Sequence, residues 1–268
     1  MKKITSRDNP TFKLLRDLSE SARERRKQGR TLLDGLHLVE AYRSAVGLPE
    51  LLVVSEHGLV QAEIRRFLDR HPELSVTVCA DGLFREISPV TTPTGILAVI
   101  PLPRAPGLNL EGKSCVVLDA VQDAGNVGSM LRSAAAAGIE EVILGRGCAQ
   151  AWSPRVLRAA MGAHFAVSIH EHLPVGEALA GYDGTIVTTR LDARDSIYDL
   201  DLGGPVTWLF GNEGAGLAPE FDALAHRAVH IPMSGKIESL NVAAAAAICL
   251  FEERRQKLGR LRTRADRA

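Results

Sequence analysis

The chain lacks any run of roughly 18 consecutive apolar residues, the length that a membrane-spanning helix requires. Its opening, MKKITSRDNP, lacks the apolar core of a secretion signal. A soluble, cytoplasmic protein with no membrane partner is therefore expected. The four cysteines, Cys79, Cys115, Cys148 and Cys249, contain no C-x-x-C pair and lie in apolar surroundings, which argues against a disulfide framework and a zinc site. His170 and His172 in HEH have no third ligand nearby, so no metal is expected. A dinucleotide fingerprint is also missing: QDAGNVGS offers only G-x-x-G, and GRGCAQA has glutamine where a third glycine would stand. Both counts weigh against a nicotinamide-dependent oxidoreductase. Net charge is zero, 32 Lys and Arg against 32 Asp and Glu, but the average hides a basic start, KLLRDLSESARERRKQGR, and a basic end, RRQKLGRLRTRADR. Such ends attract phosphates. The plainer reading, solvated helix faces and a frayed tail, stays open at this point.

What is present is ample apolar material: 268 residues, 46% of them hydrophobic, enough for one large domain or two modest ones. Asn9-Pro10 reads as a helix start, followed by Phe12, Leu14, Leu15, Leu18 and Ala22 at helical spacing. TLLDG, ELLVVSE, LSVTVCA and GILAVIP read as strands between helical patterns, giving a small α/β unit over residues 1–101. PLPRAPGLNLEG concentrates Pro, Gly and Asn without an apolar period, so 102–112 is expected to be a linker. Beyond it, SCVVLDAV, EEVILGRG, FAVSIHE, GTIVTTRL, VTWLFGNEG and AVHIPMSG are apolar runs of strand length, alternating with alanine-rich helical segments. That pattern predicts a doubly wound α/β domain with a parallel sheet over residues 113–256, followed by a basic tail, 257–268.

In such sheets ligands sit at the carboxyl ends of the strands, which draws attention to three loops. After SCVVLDAV comes QDAGNVGSMLRSAAAAG, where Asn126 is a candidate helix cap and Arg132 shares a helix face with the small residues Gly128 and Ala136. After VTWLF comes GNEGAGL, in which Gly211, Gly214 and Gly216 permit close approach around Glu213, a turn acceptor or a substrate contact. After AVHIP, the turn MSGKIE leads into SLNVAAAAAICLFEERR, where Ser239 or Asn241 is the candidate cap. Ser153-Pro154 reads as a further cap with proline at the first helical position, ahead of Arg155 and Arg158, which face phosphate or solvent. Trp152 and Trp208 are expected to be packing residues.

Taken together, NVGSMLR, LFGNEGAGL and IPMSGKIESLNVAAAAAICLFE resemble, in order and separation, the three motifs of the SpoU/TrmH family of RNA ribose 2′-O-methyltransferases. The N-terminal unit, through TLLDGLHLVEAY and PTGILAVI, is similar to the L30e-like substrate-binding domain that often precedes this catalytic domain. The resemblance implies a C-terminal trefoil knot, S-adenosylmethionine as methyl donor, an RNA substrate (rRNA, with tRNA the alternative), and a homodimer with the helix from Asn241 to about Arg255 as interface element. It places Asn126, Arg132, Glu213, Ser239 and Asn241 in the catalytic motifs. Main-chain atoms of Gly211, Ile231 and Leu240 would hold the donor's adenosine part. Two departures are small: Ala160 stands where many relatives carry serine, and Asn212 occupies a variable position. A non-catalytic RNA-binding protein of the same fold is the alternative from another class, opposed by the intact motif residues.

Overall fold

A computed structural model of the chain describes residues 2–90, 92–104 and 107–265. In chain order the first elements are β1 (Lys2–Ile4), α1 (Pro10–Glu20), α2 (Ala22–Gln28), β2 (Arg30–Asp34), α3 (Leu36–Ala45), β3 (Leu51–Ser55), α4 (Ala62–Arg70), β4 (Val76–Cys79), α5 (Asp81–Ile87) and β5 (Ile96–Pro101). There follow β6 (Cys115–Leu118), α6 (Ala124–Ala137), β7 (Glu141–Leu144), α7 (Pro154–Ala160), β8 (Ser168–Glu171), α8 (Val175–Ala178), β9 (Thr185–Thr189), β10 (Asp195–Ser196), β11 (Val206–Phe210), α9 (Pro219–Asp222), β12 (Arg227–His230) and α10 (Val242–Ala265). The chain divides into two compact units, Met1–Arg104 with Trp152–Phe165, and Ala105–Ala151 with Ala166–Ala268. Ala105 and Pro106, inside the expected linker, lie outside the described residues.

The first unit holds a mixed sheet in the order β1-β4-β3-β5-β2, with β5 antiparallel to both β2 and β3. Successive side chains on a strand point to opposite faces, so one strand feeds two cores. Leu32 joins Phe12, Leu15 and Leu18 of α1 and Phe84 of α5 on one side, while Leu33 joins Leu38 and Tyr42 of α3 and Phe67 of α4 on the other. Helix α1 starts as the sequence predicts: the Asn9 side chain accepts from Thr11 N, and Pro10 occupies the first turn, where a missing N–H costs nothing. The unexpected member is α7. Its Leu157 is fully buried in the α3–α4 core, with Trp152 and Phe165 packed against the same cluster.

The second unit is built on seven strands, all parallel, in the order β10-β12-β9-β11-β6-β7-β8. Strands β6, β7 and β11 are buried along their whole length, as near-continuous apolar runs in a covered parallel sheet should be. The chain enters at β6, winds one way through β7 and β8, then returns to build β9, β11 and β12 on the other side. Helix α10 is fastened to the sheet by a buried polar knot of side chains. Glu253 accepts from Ser114 Oγ (2.6 Å), Trp208 Nε1 (2.6 Å) and Lys257 Nζ (2.6 Å). A buried carboxylate is tolerable only when saturated in this way.

Two further expectations are corrected. Asn126 does not cap α6: the helix begins at Ala124, and the Asp123 side chain accepts from Asn126 N at 2.8 Å. The last helix does not end near Arg255 but continues to Ala265, so residues 257–265 of the expected tail are helical. Gln256 donates to Leu200 O and accepts from Leu202 N, and Lys257 is tied to Glu253 and Ser114, so the extra turns start from an anchored base. Residues 266–268 lie outside the described residues. The short strands β1 and β10 carry too few residues for an apolar period and were not anticipated.

Candidate functional site

The loops after β9, β11 and β12 meet at the carboxyl edge of the parallel sheet and enclose a cavity of about 170 Å³. It is lined by Gly211, Glu213, Ile231, Ser239 and Leu240, five of the residues singled out from sequence. Thr189, Arg190, Leu191, Asn212, Leu217 and Met233 line it as well. These were not foreseen as site residues. Thr189 and Arg190 follow a strand, and position at a strand's carboxyl end in a parallel sheet was the available signal.

The glycine loop owes its shape to Gly211 and Asn212. A Cβ on Gly211 would overlap main-chain atoms of Gly216 and Leu217, so only glycine fits. Asn212 supplies the turn acceptor: its Oδ1 takes Gly214 N at 2.9 Å and Ala215 N at 3.0 Å, and its Nδ2 donates to Ala120 O at 2.9 Å. Glu213 is thereby released from turn duty and stands exposed. Sequence reasoning left Asn212 as a variable position and missed this role.

Glu213 is instead the end of a side-chain relay joining the three loops. Asn126 Nδ2 donates to Glu213 Oε1 at 2.6 Å, and Asn241 Nδ2 donates to Asn126 Oδ1 at 2.9 Å. Asn241 Oδ1 then accepts from Ala243 N (2.9 Å) and Ala244 N (3.2 Å), which makes Asn241 rather than Ser239 the cap of α10. The amide orientations are forced, because an ionised carboxylate only accepts and a helix's first N–H groups only donate. Ser239 lines the cavity, exposed.

Arg132 stands apart. It neither lines the cavity nor joins the relay, and it is exposed with no hydrogen bond or ion pair among the described residues. Six residues separate it from Asn126 on α6, about 9 Å along the axis. The guanidinium is thus left exposed on α6, away from the relay residues.

The remaining sequence candidates resolve into structure. His170 Nε2 pairs with buried Glu141 at 2.8 Å, and no group of three metal-ligating side chains occurs among the described residues. Trp208 is fully buried and Trp152 packs edge-on to His164. Ser153 caps α7 by accepting from Val156 N. Arg158 faces Asp34 at 3.4 Å. Burial pushes the Cys79 and Cys148 thiols up to about 11, and those of Cys115 and Cys249 further, so none is a ready nucleophile near neutral pH.

The cavity is amphipathic. Leu191, Leu217, Ile231, Met233, Leu240, Val242 and Ala245 supply apolar walls, and a few polar groups converge among them, the usual make-up of a small-molecule site. Gly211 and Leu240 both line the cavity, the first without a side chain and the second in an irregular loop.

Comparisons with known proteins identify the family. Residues 113–251 match the SpoU rRNA Methylase family, and residues 9–98 match the MRM3-like substrate binding domain. An uncharacterized tRNA/rRNA methyltransferase of Synechocystis is 31% identical over 95% of this chain and 94% of its own length. The 23S rRNA (guanosine(2553)-2'-O)-methyltransferase RlmP of Bacillus subtilis is 29% identical over 95% of this chain and all of its own. Among solved structures, an AdoMet-bound rRNA methyltransferase from Sinorhizobium meliloti superimposes with a TM-score of 0.80 at 28% identity, covering 95% of this chain and 97% of the other.

Proposed function

The chain belongs to the SpoU rRNA methylase family, and from that premise we propose that it transfers a methyl group from S-adenosylmethionine to a ribose 2′-hydroxyl of ribosomal RNA. The observation that carries this reading is the convergence of Gly211, Ile231, Ser239 and Leu240 on one cavity beside the Asn241–Asn126–Glu213 relay. When bound, the donor supplies an electrophilic methyl on a sulfonium centre. The protein's part is placement: main-chain groups of Gly211, Ile231 and Leu240 hold the adenosine, and Glu213, Asn126 and Asn241 keep the three loops in register. Ser239 faces the reacting centre. Positioning of this kind can account for much of the acceleration of an in-line transfer.

Arg132 acts on the substrate side. Guanidinium groups stay protonated in proteins, so it is a poor proton acceptor but a good partner for an RNA phosphate and for the oxyanion that forms as the hydroxyl proton leaves. The first unit binds the RNA, in keeping with its match to a substrate-binding domain. A trefoil knot is supported by the path after β12. That strand lies beyond β9 and β11 from β6, yet the segment leaving it returns to α6 through Asn241. Phe251, Leu258 and Leu261 leave apolar surface exposed on α10, which supports a homodimer built on that helix. Among the described residues no helix is long and apolar enough to cross a membrane. A cytoplasmic location is in keeping with its bacterial rRNA methyltransferase relatives.

Arg132→Ala tests the assignment. Methyl transfer to ribosomal RNA should be abolished while calorimetric binding of S-adenosylhomocysteine stays at the wild-type value. Unchanged turnover would remove Arg132 from the mechanism. Mapping 2′-O-methyl groups in RNA from cells with and without the protein identifies the nucleotide, and a mark found only in tRNA would replace the rRNA substrate.

A further inference from the structure

Arg190 lines the cavity, yet its positive charge is already engaged. Its Nε and Nη2 donate to Asp192 as a fork, at 3.0 and 3.1 Å, and its Nη1 donates to Asp222 at 2.7 Å. Its main-chain N donates to Val229 O at 2.9 Å. One residue is therefore tied to three segments: its own loop after β9, helix α9, which follows the cavity-lining Leu217, and β12, which leads to the cavity-lining Ile231. Two carboxylates against one guanidinium leave the cluster with one net negative charge, so Arg190 is badly placed to capture an anion.

Exposed ion pairs usually contribute little to stability, and this cluster is partly exposed. Its significance lies instead in geometry. A planar fork held from two sides loses its rotameric freedom, which turns a long side chain into a fixed wall. We propose that Arg190 is a donor-positioning residue, held by Asp192 and Asp222 as one wall of the cavity so that the loops after β9, β11 and β12 keep the spacing the donor requires. This rests on the reading of the cavity as the methyl donor's site.

The full-length protein and its Arg190→Ala, Arg190→Lys and Asp222→Asn variants are titrated calorimetrically with S-adenosylhomocysteine. Arg190→Ala should weaken binding about tenfold, and Asp222→Asn should shift it in the same direction by less. Arg190→Lys should fail to restore it, because an ammonium group cannot offer a planar fork to one carboxylate while holding another. In steady-state methylation the KM for the donor should rise with kcat unchanged at saturation, and the melting temperature should stay put. A purely structural role would move the melting temperature without that split. Binding by Arg190→Ala and Asp222→Asn within about twofold of wild type overturns the proposal. Failure of the wild-type protein to bind the ligand overturns the donor-site reading itself.

Discussion

Asp34 and Glu213 are two carboxylates at or just past the ends of two strands, each followed by a glycine, and they have opposite fates. Asp34 closes β2 in LLDG with a fully buried side chain, accepting from Thr94 Oγ1 at 3.0 Å and Ser88 Oγ at 3.2 Å and facing Arg158 at 3.4 Å. Glu213 follows β11 in GNEG, exposed, with one oxygen on Asn126 and no hydrogen bond to the other among the described residues. A saturated, buried carboxylate has no capacity left for a ligand, whereas an exposed one with a fixed orientation and an unused oxygen does. In both places the carboxylate is followed directly by a glycine. What differs is whether the loop folds back on its own core or is held open by an asparagine that takes over the turn.

Three experiments break or sharpen this contrast. The largest effect is expected from Gly211→Ala, since the added methyl would meet the backbone of Gly216 and Leu217 and collapse the loop that presents Glu213. Binding of S-adenosylhomocysteine should fall more than about a hundredfold, measured by calorimetry, while the first unit stays folded. Next comes Leu157→Ala, which empties a fully buried position in the α3–α4 core. It should cost about 3 kcal/mol by urea denaturation and leave the affinity for S-adenosylhomocysteine unchanged. An affinity loss matching that of Gly211→Ala would show that the two units do not divide the work as described.

The smallest effect is a pH dependence. Burial raises the Asp34 carboxyl above its usual range, against the opposing pull of Thr94, Arg158 and Ser88. The folded state then holds this proton more tightly than the unfolded chain. The contribution is fully present below the ordinary carboxylate range, about pH 4, and is lost as pH rises through the folded-state value. Asp34→Asn cannot titrate, so its denaturation midpoint should gain on that of the wild type as pH is raised through this window. Parallel midpoints at every pH would mean that Asp34 is not held in the protonated-favouring environment its burial implies.

Much of this was legible in the sequence. The strands of the second unit are long apolar runs, and the motif loops carry enough polar and glycine residues to stand out. What was not legible depends on which of several competing partners each side chain takes. Asn126 looked like a cap because it precedes an apolar period, but Asp123, three residues earlier, wins the first turn and frees the Asn126 side chain for Glu213. The turn that Asn212 makes with Gly214 and Ala215 is local and a sequence can signal it, but its bond to Ala120 O is not. Arg190 reads as one more surface arginine until α9 brings Asp222 to it. The placement of α7 was equally hidden: its apolar residues fit a helix in either unit, and only the packing of Leu157 decides.

The discontinuous make-up of the first unit sets an order of events during synthesis. At typical rates of about 5–20 residues per second, Trp152 follows Arg104 off the ribosome by roughly 2–10 s. Through that interval the α3–α4 face of the N-terminal sheet lacks Leu157 and Phe165, while β6, α6 and β7 of the other unit are already emerging. The two units therefore mature in an interleaved schedule. The waiting apolar face is covered only when α7 arrives.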